Sequence, residues 1–235
     1  MKAFLKSTLY CSLMITGLLG FSWDAQADDC RAAPTPGIDW QGCDKKLLML
    51  GGSDLGDAKL MGADFTTTDL KDANLLGANL EKAKLVRATL AGSSAKGVRF
   101  ARVEAYRTDF SGISADGASF ESAELQRSNF ANAKLSKVDF TKADLGRSQF
   151  DGADVGGSRF ALANLARADF REASFSAPVD FDRAFFFLTR VEGADLSAAT
   201  RLTQWQLDMS CGDDKTVLPP GLKKPTQWPC KFQQD

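Results

Sequence analysis

A large apolar residue recurs at every fifth position through most of this chain. From Leu50 it falls on Leu55, Leu60, Phe65, Leu70, Leu75, Leu80, Leu85 and Leu90, then on Phe100, Phe110, Phe120, Leu125 and Phe130, and so on to Phe175. Only Ala95, Ala105 and Ala115 depart from a large apolar type in that span. Two residues before each centre usually stands something small, such as Ala58, Ala63, Ala73, Ala78, Ala83 or Ala88. A period of five fits neither the turn of a helix nor the alternation of a strand. Sustained this long, it implies a solenoid, in which each unit buries its apolar residues only by stacking on its neighbours.

Five-residue units suit a coil with four flat sides, one quintet to a side, the centre and the small residue inward and the rest facing water. Centres on one side would then repeat every fourth quintet. One side reads Leu50, Leu70, Leu90, Phe110, Phe130, Phe150, Phe170, and the opposite one Leu60, Leu80, Phe100, Phe120, Phe140, Phe160. The sides between carry Leu125, Leu145 and Leu165, or Ala95, Ala115, Leu135 and Val155. Phenylalanines on opposing walls with smaller residues across satisfy a narrow core of constant volume. "SFSAPVDF" (Ser174 to Phe181) inserts one residue, after which the centres resume at Phe181, Phe186, Val191 and Leu196. One extra residue makes a bulge at a corner and is too short for a reaching loop.

The A-[DN]-L-x-x pattern, as in "ANLLG" (Ala73 to Gly77) and "ANLEK" (Ala78 to Lys82), resembles the pentapeptide repeat family. The resemblance runs from about Leu48 to Leu196 and implies an all-β fold, a right-handed quadrilateral β-helix. About 30 quintets, or roughly seven and a half coils, give a rod roughly 35 Å long at a coil spacing of about 4.8 Å. "PGIDWQGC" before the repeats and "LTQWQLDMSCGDDKTVLPPGL" after them resemble the flanks of exported bacterial members. The expected organisation is a signal peptide over 1–27, an N-terminal cap over 28–47, the solenoid over 48–196 and a C-terminal cap over 197–235.

The ends support that division. "MKAFLK" is basic, Leu9 to Phe21 is apolar, and "AQA" (Ala25 to Ala27) is small, the three-part form of a secretory signal. A mature chain from Asp28 has no membrane span and belongs in the periplasm or outside the cell. It keeps Cys30, Cys43, Cys211 and Cys230. Three pairings are formally open to four cysteines. Two precede the repeats and two follow them, which favours Cys30–Cys43 and Cys211–Cys230, each stapling one cap; zinc is the rival. Thr203 and Gln206 have capping-box spacing, and Leu202 with Leu207 has hydrophobic-staple spacing, so a short helix should close the C-terminal end. Open ends of such a rod invite aggregation unless covered. The family resemblance also implies homodimers formed end to end through a cap.

Chemistry is scarce. The chain has no histidine, which removes Ser–His and Cys–His arrangements and the commonest metal sites. Acids such as Asp109, Asp139 and Asp144 are spread over a convex surface, so the reading is a non-catalytic module with no cofactor. Net charge is −1, moving to about −2 once Lys2, Lys6 and Asp24 leave with the signal. That near-neutral total argues against a nucleic-acid binder. It also disfavours the role that the resemblance suggests from some cytosolic members, which mimic DNA, bind DNA gyrase and confer quinolone resistance.

Two residues past the centre, two adjacent sides carry glycines, among them Gly92, Gly112 and Gly152, and Gly77, Gly97, Gly117 and Gly157, as turns with positive φ require. The other two corners are basic: Lys82, Arg102 and Lys142 on one, Arg87, Arg107, Arg127, Arg147 and Arg167 on the last. Those five arginines stack in one column about 4.8 Å apart, close enough to repel. Two readings follow. Glu104, Glu124 and Asp144, each three residues before an arginine, would make a salt-bridge ladder. Alternatively the column binds an anionic envelope component, a glycan or an array of lipid phosphates. The expected function is a rigid binding or structural module, whose partner is a protein or such an anionic component.

Overall fold

The computed structural model describes residues 30–230. The signal segment lies outside the described residues. The chain winds into stacked coils, each carrying four two-residue turns and four single-residue parallel bridges to the coil above. Bridges join residues 20 apart, as in Asp69↔Thr89 and Thr89↔Asp109. The all-β expectation is met by these isolated bridges rather than by extended strands. A turn at each end of a five-residue side leaves only the residue before the centre flat enough to pair both ways.

The local hydrogen bonding explains the period. Each centre closes its own corner by accepting from the backbone N–H three residues on, as Leu55 does from Ala58 at 3.1 Å. The centre's N–H donates to the following coil, Leu55 to the Asn74 carbonyl at 2.8 Å. The third residue of the turn has positive φ at nearly every side, and it is by no means always glycine: Asp72, Lys82, Ser122, Asn132 and Leu162 all sit there. Glycine relieves that strain where it occurs, but the corners without it share the same conformation.

Inside, the phenylalanines form two parallel-stacked files that meet edge to face. Phe110 and Phe130 stack at 4.8 Å and 4°, Phe130 and Phe150 at 5.1 Å and 7°, while Phe120 meets Phe130 at 5.8 Å and 89°. Ala95, Ala105 and Ala115 are fully buried beside the first rings. The inserted residue behaves as expected. Bridges that span it join residues 21 apart, such as Arg159↔Asp180, and the spacing returns to 20 at Asp180↔Thr200, with Val179 in the inward slot and Pro178 exposed at the corner.

The ladder begins at Asp39↔Lys59, ahead of the Leu48 edge assigned from the repeat. Trp40 and Cys43, assigned to the N-terminal cap, and Cys211, assigned to the C-terminal cap, are therefore part of the coil stack. Trp40 fills a centre (1% exposed), Cys43 fills the small inward slot, and Cys211 bridges to Arg190. Tryptophan, lysine and cysteine break the sequence pattern without breaking the backbone pattern. Lys45 takes the next centre, its Nζ donating to the Cys30 carbonyl at 2.6 Å and lying 3.4 Å from the centre of the Trp40 ring. Burial pushes its pKa down. An inward charge at an open end is one way such edges are protected from pairing.

Both disulfides form in the favoured pairing, Cys30–Cys43 and Cys211–Cys230, with Cα separations of 5.5 and 5.4 Å. A helix α1 spans Gln204–Asp208, with Thr203 as N-cap and the full capping box to Gln206. Leu202 before the helix and Leu207 within it are both buried. Trp228 folds back to donate from Nε1 to the Ser210 carbonyl at 2.8 Å, its ring so close to Gly212 that a Cβ there would stand 2.4 Å from it. Among the described residues no helix is long and apolar enough to cross a membrane.

Candidate functional site

The arginine column is present as expected. Arg87, Arg107, Arg127, Arg147 and Arg167 occupy one corner of successive coils, exposed, with φ between 56 and 62°. Each backbone N–H donates one coil on, Arg127 to the Gly146 carbonyl at 2.9 Å and Arg147 to the Ala166 carbonyl at 2.9 Å. The residue after each of the three central arginines pins the corner. Thr108, Ser128 and Ser148 are buried, and their hydroxyls donate to the carbonyls of Leu85, Ala105 and Leu125 at 2.6, 2.7 and 2.8 Å. Their hydroxyls at the small inward slot, between Ala88 and Ala168 on the same side, are the sequence signal for this support, easily passed over because serine and alanine fill that slot equally well.

The salt-bridge ladder is not built. Among the described residues no ion pair within 4 Å involves any of the five arginines. Three residues of separation place the acid mid-side and the arginine past the turn, so proximity in sequence does not bring them together. Asp144 instead accepts from Gln126 Nε2 at 2.8 Å, from Asn164 Nδ2 at 3.0 Å and from the Gly146 N–H at 3.1 Å. Glu104 and Glu124 are exposed and bridge one above the other. Arg107 lies 5.3 Å from the centre of the Tyr106 ring.

On the other sides of the coils the arginines are neutralised. Arg99 and Arg102 share Glu81 at 3.0 and 3.4 Å. Arg171 and Arg190 meet Asp169 at 2.7 and 3.7 Å, Arg159 meets Asp180 at 3.5 Å, and Arg201 is paired with that same aspartate. Arg171 is held above its usual pKa by the hydrogen bond to Asp169. The column is therefore the part of the surface where stacked guanidinium groups keep their donors available. Between Arg127, Arg147 and Arg167 lies an open groove of about 350 Å³ floored by Gln126, Asp144 and Asn164. Planar five-donor guanidinium groups in such a file suit carboxylate or phosphate oxygens. No cluster of three acidic or cysteine side chains among the described residues is disposed to hold a metal ion.

The crystal structure of HetL, a pentapeptide repeat protein involved in heterocyst differentiation regulation from the cyanobacterium Nostoc sp. strain PCC 7120, is 22% identical over 78% of this chain and 86% of that one, with a TM-score of 0.43. Full-length QnrB1, a plasmid-mediated fluoroquinolone resistance protein, is 18% identical over 78% and 94%, with a TM-score of 0.36. A pentapeptide repeat protein of the Arabidopsis thaliana thylakoid lumen is 27% identical over 52% and 68%, with a TM-score of 0.21. Overlaps this loose carry nothing about ligand or partner. No curated protein matches. The family model for pentapeptide repeats matches in eight copies, over residues 50–85, 83–121, 116–150 and 148–177. Those spans take in more than half of the chain, and with the coil geometry above they establish that it belongs to the pentapeptide repeat family.

Proposed function

We propose that this chain is an exported, non-catalytic solenoid, a right-handed quadrilateral β-helix that binds an anionic component of the cell envelope through the Arg87–Arg167 column. The observation that carries the reading is the contrast in charge pairing. Arginines on the other sides find carboxylates, whereas five on one corner, exposed and stacked, find none. Holding like charges about 5 Å apart is unfavourable unless something offsets it, and an anionic ligand offsets it. Periplasmic or extracellular location is supported by the three-part segment at 1–27 and by the two disulfides, which persist in oxidising compartments. Nucleic acid is not the proposed ligand, since it lies in another compartment. End-to-end pairing of two copies through a cap is part of the same proposal and is read by light scattering.

The test is retention on heparin-like and lipopolysaccharide matrices at low salt. Wild-type protein should bind and elute as salt rises, and charge reversal of Arg107, Arg127 and Arg147 to Glu should abolish retention. Failure of the wild type to bind either matrix would overturn the reading. Intact mass of protein from fractionated cells tests the export: a species beginning at Asp28 and carrying both disulfides is expected, and a full-length reduced cytosolic species sinks it.

A further inference from the structure

The arginine side does not end in arginine. One coil beyond Arg167 it carries Phe185 and Phe187, 43% and 45% exposed, on either side of the buried centre Phe186. Their rings lie 6.2 Å apart with planes only 11° from parallel. The pair lies beside the line of the column, whose next position is Leu188 (φ 53°): the Arg167 N–H donates to the Phe187 carbonyl at 2.8 Å, and Asn164 bridges to Phe185. The same two positions on the preceding coils hold Asn164 with Ala166 and Asp144 with Gly146, so outward phenylalanine is a departure that the core does not require. Midway along the column Tyr106 sits beside Arg107 at the position equivalent to Phe187.

We propose that this side binds an acidic glycan of the polyuronate type, one carboxylate-bearing sugar per coil, with its end seated on Phe185 and Phe187. The inference rests on the anion-binding reading above and names its ligand class. Two features select a glycan strand. The column offers one cation per coil at about 4.8 Å, and a pyranose in an extended chain advances by a similar step, so a chain charged at every sugar stays in register with the arginines. A chain charged at every second sugar meets only every second arginine and makes half as many ion pairs. Glu104 and Glu124 stand exposed beside the column. A flat anionic membrane would be brought against those acids, whereas a single strand follows the arginine corner and clears them. Exposed aromatic rings also take the C–H face of a sugar, which combines a hydrophobic surface with a polarised edge.

Oligogalacturonates of graded length, titrated into the purified protein at low salt, test this. Affinity should rise with length until the oligomer spans Arg87 to Phe187, then level off, and the methyl-esterified oligomer should not bind. The double variant Phe185→Ala, Phe187→Ala should weaken binding about threefold to tenfold, the size of an aromatic contact, with only a small loss of thermal stability because each ring is nearly half exposed. Arg107→Gln, Arg127→Gln and Arg147→Gln together should abolish it. Equal binding of the neutral oligomer overturns the proposal, as does wild-type affinity in the phenylalanine variant. Binding to phosphatidylglycerol vesicles but not to oligogalacturonate overturns the glycan and leaves the anion-binding reading standing. Absence of binding to any anionic probe removes both.

Discussion

Gln206 in the capping helix donates from its side-chain amide to the carbonyls of Phe181 and Ala184, at 2.8 and 2.9 Å. One coil earlier the Ala163 carbonyl accepts from the backbone N–H of Phe185 at 2.9 Å. The carbonyl of Ala184 occupies the equivalent place, and the coil that would supply its donor is replaced by α1. A single buried side chain therefore substitutes for a missing backbone, while its oxygen closes the helix N-terminus by accepting from the Thr203 N–H at 2.8 Å.

Replacing Gln206 by Leu should cost about 2–3 kcal/mol, combining a lost cap with buried carbonyl oxygens left short of donors. Urea denaturation gives the value. A midpoint equal to wild type would show that the helix covers the end without bonding to it.

The aromatic files make the middle of the rod its least forgiving part. Phe130 touches Phe110, Phe120, Phe140 and Phe150 and is fully buried. Phe130→Ala should cost about 3–5 kcal/mol, and Phe130→Leu should cost less. Hydrogen exchange should show the loss of protection centred on coils 110–150 and weaker at both caps, as expected where each coil contacts only its neighbours. Uniform loss along the chain would contradict that local coupling.

Much of this was legible beforehand, and the reasons are specific. Coil period, opposing phenylalanine walls, the one-residue slip before Phe181 and the capping box of Thr203 all depend on residue spacing, which the sequence displays directly. Trp40 and Cys43 escaped because they fill standard slots with non-standard residues. The failed ladder has another cause. Glu124 and Arg127 are close along the chain, but a turn with positive φ at Arg127 stands between them, and the direction of a corner side chain is not a property of spacing. Phe185 and Phe187 were hidden inside the run Phe185–Phe187, where only the coil register shows which ring of the three faces inward.

Reducing the C-terminal disulfide should loosen the cap before the rod. Cys211–Cys230 closes 19 residues, and a loop of that size is worth about 3 kcal/mol. In Cys211→Ser, Cys230→Ser the peptide from Asp214 to Trp228 should become sensitive to protease while the coils stay resistant. Intact resistance of that peptide would mean that the Trp228–Ser210 contact suffices without the bond.

Acid should act on the same cap. The Asp213 carboxylate is partly buried, which pushes its pKa up, but donation from the N–H groups of Gly193, Lys215 and Thr216, each at 3.0 Å, and from the Thr216 hydroxyl outweighs this and holds it below 3.8. The folded chain thus binds that proton less readily than the unfolded chain. Its stabilisation is complete above 3.8 and is lost as pH falls through the lower folded value. Asp213→Asn should flatten the decline in stability between pH 5 and that range, as read by thermal melts. An unchanged slope would assign the acid sensitivity to other carboxylates.

The last prediction separates ligand binding from structure at the arginine column. Arg127 and Arg147 sit at φ of 60 and 62°, a conformation costing an L residue about 1–2 kcal/mol that glycine does not pay. Glycine returns about 0.5–1 kcal/mol through the unfolded chain, so each Arg→Gly change should stabilise by about 0.5 kcal/mol and also remove one of the stacked charges. The double variant should therefore melt at or above the wild-type temperature while losing retention on anionic matrices. A column that held the coils together would respond in the opposite direction, with a lower melting temperature that high salt reproduces in the wild type.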